Sequence, residues 1–243
     1  MGRGPQAVFR FDATPEIGAG HAMRCFSLAD AMTYAGWRCL FAVHTNTRAF
    51  INRLGKNNLS FILLPDDISQ EPDQIASYLN GGVCDLLIVD HYERNVVFET
   101  ACRTFAKRIM VIDDLANRKH DVDILLDQNL GRKPSDYAGL VSKDCRFLIG
   151  PGYALLRPQF RFQRNLALNK RWKRKTVNNI LISFGMSGMQ EMVLNALQAL
   201  REISFSGHIV IVIPAGAENT AQAQAEALVM GASVRIFYDV EDM

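Results

Sequence analysis

The stretches "DLLIVD" (85–90) and "RIMVID" (108–113) each hold four consecutive apolar residues between polar ends. A strand with one face in water alternates apolar and polar residues, whereas a strand covered by helices on both faces is apolar throughout. Such strands lie parallel and are joined by crossover helices, so this feature commits the chain to a layered α/β sheet. The other apolar, β-branched runs fit the same scheme. Ala7–Phe11, Cys39–Val43, Leu59–Leu64, Ile124–Leu126, Arg146–Ile149, Asn179–Phe184, His208–Ile213 and Val234–Tyr238 join Asp85–Val89 and Arg108–Ile112 as predicted strands. Helical patterns fall between them. In the first, beginning near His21, the residues Cys25, Leu28, Ala29, Met32 and Ala35 recur on one face and Gly36 is a reasonable stop. The expected fold class is α/β, with a doubly wound parallel sheet.

Composition matters here mainly for what it excludes. Of 243 residues, 49% are hydrophobic, enough to core one large domain or two modest ones. A net charge of +2 points to neither nucleic acid nor a membrane surface as partner. The five cysteines include no Cys-x-x-Cys pair, which suits a reducing compartment and argues against a disulfide framework or a zinc site. Polar "FRFDATPE" interrupts any leader-like run, and no stretch approaches the roughly 18 apolar residues of a membrane span. A soluble, cytoplasmic protein is the expectation. The basic segment "RFQRNLALNKRWKRKT" (Arg161–Thr176) precedes a fresh strand–loop–helix unit and reads as a solvated connector rather than a nucleic-acid contact. It divides the chain into a first domain (1–160), a linker (161–176) and a second domain (177–243). The second has only three predicted strands and two helices, which is thin for a doubly wound domain.

Ligands of parallel sheets gather where strands end and helices begin. "ATPEIGAG" (13–20) lies at such a junction. Gly18 and Gly20 permit positive φ and close approach of a ligand, and the free N–H groups of the following turn can receive phosphate. The same glycines equally suit a structural turn, because both the third glycine of a dinucleotide fingerprint and the Walker pattern are absent. His21 at this helix start is expected to stay neutral and to be able to take a proton from water, or else simply to cap the turn. Arg24, one turn on, is either a phosphate partner or an ordinary surface arginine. "VDHY" brings Asp90, His91 and Tyr92 to the end of the next central strand, and "VIDDLANRKH" brings Asp113 and Asp114 with Arg118 and His120. Each carboxylate alone reads as a cap or a structural partner, but together at one sheet edge they read as a cleft suited to sugar hydroxyls. No metal-ligand spacing occurs. In the second domain "ILISFGMSG" ends a strand in a small loop, with Gly185 and Ser187 as a candidate phosphate seat or a plain βα turn.

Taken in order, "DATPEIGAGHAMRCFSLADAM", "IVDHY", "VIDDLANRKHDVDILLDQNL", "LIGPGYALLRPQF" and "ILISFG" resemble the UDP-2,4-diacetamido-2,4,6-trideoxy-β-L-altropyranose hydrolase family of pseudaminic acid biosynthesis. The resemblance implies a GT-B-like fold: two Rossmann-like parallel-sheet domains, a first that handles the sugar and a second, incomplete here, that binds the nucleotide. It implies a UDP-sugar as partner, no cofactor and no metal. His21 would activate the water that attacks the anomeric carbon and expels UDP. Gly18, Gly20, Arg24, Asp90, His91, Tyr92, Tyr153 and Arg157 would line the substrate site, and Gly185 and Ser187 the nucleotide site. Two departures accompany it. Met186 and Gly188 stand where the family has a glycine and an aspartate, and the family's later glycine-rich segment and acidic ribose contact find no match before Met243. A chain without them is expected to hold UDP poorly and to be weak or inactive. A glycosyltransferase on the same scaffold and a non-catalytic copy are the alternatives.

Overall fold

The computed structural model describes residues 4–56, 58–173, 176–184, 189–213 and 233–238. The chain splits into two compact units, Met1–Arg157 and Pro158–Met243. In chain order the first unit contains β1 (Gln6–Phe11), α1 (Gly20–Tyr34), β2 (Arg38–Val43), α2 (Thr45–Arg53), β3 (Phe61–Leu63), α3 (Glu71–Tyr78), β4 (Leu86–Asp90), α4 (Val96–Cys102), β5 (Ile109–Ile112), β6 (Ile124–Asp127) and β7 (Arg146–Ile149). Its seven strands are parallel in the order β3-β2-β1-β4-β5-β6-β7. The chain therefore winds outward from β1 to β3, then returns and winds the other way from β4. The reversal lies between β1 and β4, which pair in register from Ala7 with Leu86 to Phe11 with Asp90. Open α/β sheets leave a crevice at the carboxyl ends of strands that flank such a switch point.

Both faces of the sheet are buried, as the unbroken apolar runs require. On one face Val8, Ala42, Leu87, Val89, Ile109, Val111 and Leu125 pack with Ile75 of α3 and with Phe98 and Cys102 of α4. Successive side chains of a strand alternate, so Phe9 and Phe11 turn to the other face. There Phe26 of α1 meets Phe11 edge-on at 5.8 Å and Phe41 of β2 at 5.5 Å. This aromatic wedge clamps α1 against the sheet and fixes where its first turn stands. The loop ahead of it folds tightly: Gly18 has φ +88° and its N–H donates to the Thr14 carbonyl at 2.7 Å.

The second unit contains α5 (Pro158–Trp172), β8 (Asn179–Ser183), α6 (Met189–Glu202), β9 (His208–Ile213) and β10 (Ser233–Tyr238), with the strands parallel in the order β10-β9-β8. Ile182, Val193, Leu197, Ile209, Ile211 and Ile213 form its core. The basic stretch expected as a connector is helical over residues 161–172 and groups with this unit, and no side chain of α5 is buried. The second helix expected in this unit falls between β9 and β10, on residues 214–232, outside the described residues. Among the described residues no helix is long and apolar enough to cross a membrane.

Candidate active site at the switch point

Three elements deliver four side chains to the crevice between β1 and β4. His21 comes from the first turn of α1, Arg24 from the next turn, Asp90 from the last position of β4, and Tyr92 from the loop behind it. Asp90 is fully buried and its carboxylate organises the rest. His21 Nδ1 lies 2.6 Å from Asp90 Oδ1. Arg24 donates Nε to Asp90 Oδ2 at 2.6 Å and Nη2 to Asp90 Oδ1. The buried Cys25 thiol also donates to Asp90 Oδ2, at 3.6 Å. A lone pair on Nδ1 would face both the Asp90 lone pairs at that distance, so Nδ1 carries the proton and Nε2 is the basic nitrogen. Burial alone would push the Asp90 carboxyl up, but hydrogen bonds from Arg24 and His21 outweigh it and hold it below the usual carboxylate range. Asp90 stays charged, as the partner of a proton-accepting histidine must.

The Tyr92 ring meets the His21 ring edge-on, with centroids 4.8 Å apart, and its hydroxyl donates to Asp114 Oδ2 at 3.4 Å. Burial, followed by the charge of Asp114, pushes the Tyr92 phenol up, so it is a proton donor at neutral pH. Tyr92 is 48% exposed, which leaves it open to a ligand. Arg24 is different. Its Nη1 donates to Asp114 Oδ2 at 3.1 Å, so each of its nitrogens already faces a carboxylate. The guanidinium expected on a phosphate is instead neutralised on both sides, and Asp90, expected on the substrate, is sealed beneath His21. Both are committed to partners inside the protein, and the His21 side chain is itself only 10% exposed.

A second charged cluster ties the two lips of the crevice together from below. Arg10, buried within β1, reaches Glu71 with Nε at 2.9 Å and Nη2 at 2.7 Å, and donates Nη1 to Asp12 at 2.8 Å. Arg94, in the loop after β4, donates Nε to Glu71 Oε2 at 3.0 Å. His44 Nε2, at the start of α2, sits 3.0 Å from Glu71 Oε1. His91 Nε2 donates to Asp12 Oδ2 at 2.9 Å while its Nδ1 accepts the Glu93 N–H at 3.0 Å. Both His91 nitrogens are thus used inside the protein, and the ring expected to touch substrate instead bridges the loops after β1 and β4. Its burial, aided by the charges of Arg10 and Arg94, pulls its pKa below the ordinary value despite the Asp12 bond. The sequence carried a signal for this network that its spacing did not reveal: Arg10 interrupts an otherwise apolar strand, and a charge there needs a buried counter-charge.

The other expected residues are dispersed. Gly18 has the positive φ foreseen, whereas Gly20 begins α1 without one, and a Cβ there would meet nothing within 4 Å. Tyr153 is exposed in a 3-10 turn after β7, and β7 stands three strands from β4, about 14 Å at the usual strand spacing. Arg157 is half-buried at the end of the first unit. Gly185 and Ser187 lie outside the described residues. No group of three or more His, Cys, Asp or Glu among the described residues is placed to hold a metal ion.

No protein-family model matches the chain. It is 29% identical over 163 residues to the UDP-2,4-diacetamido-2,4,6-trideoxy-β-L-altropyranose hydrolase of Campylobacter jejuni, covering 64% of this chain and 53% of that protein. It is 24% identical over 206 residues to an uncharacterized protein of Methanocaldococcus jannaschii, covering 82% of this chain and 41% of the other. The chain spans about half the length of the curated relatives it matches. Among solved structures, MurG of Acinetobacter baumannii matches with a TM-score of 0.61 at 13% identity, over 98% of this chain and 69% of its own. The fold is of the glycosyltransferase B type. UGT89C1 of Arabidopsis thaliana, solved with quercetin, matches with a TM-score of 0.56 at 11% identity, over 96% of this chain and 69% of its own. A GT-B match of this breadth takes in both parallel sheets, as the α/β reading of the sequence expected.

Proposed function

We propose that the protein hydrolyses a nucleotide sugar, with His21 as the base that activates water. The observation that carries this reading is the 2.6 Å contact of His21 Nδ1 with buried Asp90, which leaves Nε2 as the proton acceptor. Water would lose a proton to Nε2 as its oxygen bonds to the anomeric carbon. The bond from that carbon to the phosphate oxygen would break with its electrons going to the departing UDP, and the sugar configuration would invert. Asp90 would balance the imidazolium that forms, and the Tyr92 hydroxyl oxygen, its own proton turned to Asp114, would accept from a sugar hydroxyl. A pyrophosphate is a good leaving group, so the step needs no strong acid behind it. The charges also agree: Asp90 and Asp114 outnumber Arg24 by one, which favours the positive character of an oxocarbenium-like transition state over a diphosphate at this spot. The diphosphate would then sit elsewhere. The Campylobacter jejuni relative makes UDP-2,4-diacetamido-2,4,6-trideoxy-β-L-altropyranose the first substrate to try, in the pathway to pseudaminic acid.

The likeness to MurG favours a second reading, in which an acceptor hydroxyl replaces water. One experiment separates them. The chain is incubated with UDP-sugars in oxygen-18 water without acceptor, and the products are weighed. Hydrolysis predicts UDP release, label on the sugar, and loss of at least about 100-fold in kcat for His21→Ala. Label on phosphate, or an unimpaired variant, overturns the proposal, and release that waits for an acceptor establishes the transferase.

A further inference from the structure

We infer that Asp114 is a positioning residue that closes a ring of contacts around His21 and sets the basicity of that imidazole, an inference resting on the reading of His21 as the base. The neighbouring carboxylates at the end of β5 divide their work. Asp113 does the structural part: it accepts the Ala116 N–H at 2.9 Å and the Tyr137 hydroxyl at 3.0 Å, and it pairs with Arg118 at 2.7 Å. The turn is therefore held without the Asp114 side chain. Asp114 touches two side chains, Arg24 at 3.1 Å and Tyr92 at 3.4 Å, and both lie against His21. The contacts close on themselves: His21 to Asp90, Asp90 to Arg24, Arg24 to Asp114, Asp114 to Tyr92, and Tyr92 back to the His21 ring.

The backbone at Asp114 is itself anchored. Its carbonyl accepts from Arg132 Nη2 at 2.7 Å, and Arg132 is seated on buried Asp127. The other Asp114 oxygen, Oδ1, is buried and makes no hydrogen bond. Arg24 lies between Asp90 and Asp114, so Asp114 offsets part of the guanidinium charge and leaves more of the Asp90 charge to the imidazole. Among the described residues, Asp90 from β4, Arg24 from α1 and Tyr92 from the loop after β4 stand against His21, and Asp114 from the loop after β5 touches Arg24 and Tyr92.

The test compares the whole chain with Asp114→Asn, which keeps size and an acceptor oxygen but removes the charge, and with Asp114→Ala. In Asp114→Asn the acid limb of the kcat/KM profile should move to lower pH by roughly 0.5–1 unit, with kcat down about 10-fold and KM within about threefold. Asp114→Ala, which also releases Tyr92, should lose a further several-fold in kcat. Both variants should melt within a few degrees of the parent. A rise in KM with kcat intact would make Asp114 a substrate contact and overturn the inference, as would an unmoved profile. A second readout does not need catalysis: nitrogen-15 spectra of the His21 ring, assigned with His21→Ala. The His21 titration curve should move to lower pH in Asp114→Asn by the same amount. If it does not move, the coupling is absent whatever the enzyme hydrolyses. If it moves while His21→Ala stays active, the coupling stands and the proposed function fails.

Discussion

Asp90 decides what His21 can do. The carboxylate has no exposed surface, yet it receives His21, both ends of the Arg24 fork and the Cys25 thiol. Replacing one of its oxygens with an amide would put a donor against the donors of Arg24 and His21, and would favour the other tautomer of the ring. Asp90→Asn should therefore lower kcat by on the order of 100-fold or more, in steady-state assays, with KM changed much less. It should also lower the melting temperature, since Arg24 would be left part-paired in a buried place. The sequence placed Asp90 in the site as a substrate contact. What the residue string does not contain is the direction in which a side chain at a strand terminus points, and here it points under the helix.

At the scale of elements, the loop from β1 to α1 shows two glycines with different jobs. Gly18 adopts φ +88°, where a side chain is strained, while Gly20 has ordinary backbone angles and open space around its Cβ position. Gly18→Ala should destabilise the protein by about 1 kcal/mol, read as a lower denaturation midpoint. Gly20→Ala should leave that midpoint unchanged or slightly raised, because alanine is the better helix former, and should act only on ligand affinity. If both variants prove equally unstable, the loop is held by something other than the Gly18 turn. Element positions were largely legible beforehand: the buried strands announce themselves as unbroken apolar runs and α1 by its period, although its buried face is Ala22, Cys25, Phe26 and Ala29, with Leu28 and Met32 only half-buried and Ala35 exposed. The α5 helix was not, since a polar, basic segment with no buried side chain carries no periodic signal to distinguish it from a connector.

At the scale of the whole first unit, the network of Arg10, Asp12, Glu71, His91 and Arg94 joins β1, α3 and the loop after β4. Burial raises the Glu71 carboxyl, but hydrogen bonds from Arg10 and Arg94 overcome this and bring its pKa from 4.5 to about 2. A carboxylate depressed in the folded state contributes stability above its unfolded value and loses it as pH falls. His91, also depressed, takes up its proton more readily when the chain unfolds, so it too favours unfolding as pH drops below its ordinary 6.5. Melting temperature should therefore fall in two stages on acidification, below pH 6.5 and again between pH 4.5 and about 2. Glu71→Gln should start about 3–5 kcal/mol less stable at pH 7, with buried Arg94 deprived of its buried counter-charge and Arg10 left with Asp12 alone, and should lose less across the lower stage. An identical lower stage in the variant would place the acid sensitivity elsewhere. The order of strands and helices, and the gathering of polar groups at strand ends, were set by the sequence alone, because burial on two faces and helical period are local patterns. Which of those groups are sealed, and which partners they take, was decided only by the tertiary structure. Parallel pairing of β1 with β4 brings residues about 80 positions apart into one crevice, and there the competition among buried charges, not the identity of any one residue, leaves Tyr92 exposed, seals Asp90 and commits Arg24 and His91 to partners inside the protein around a mostly buried His21.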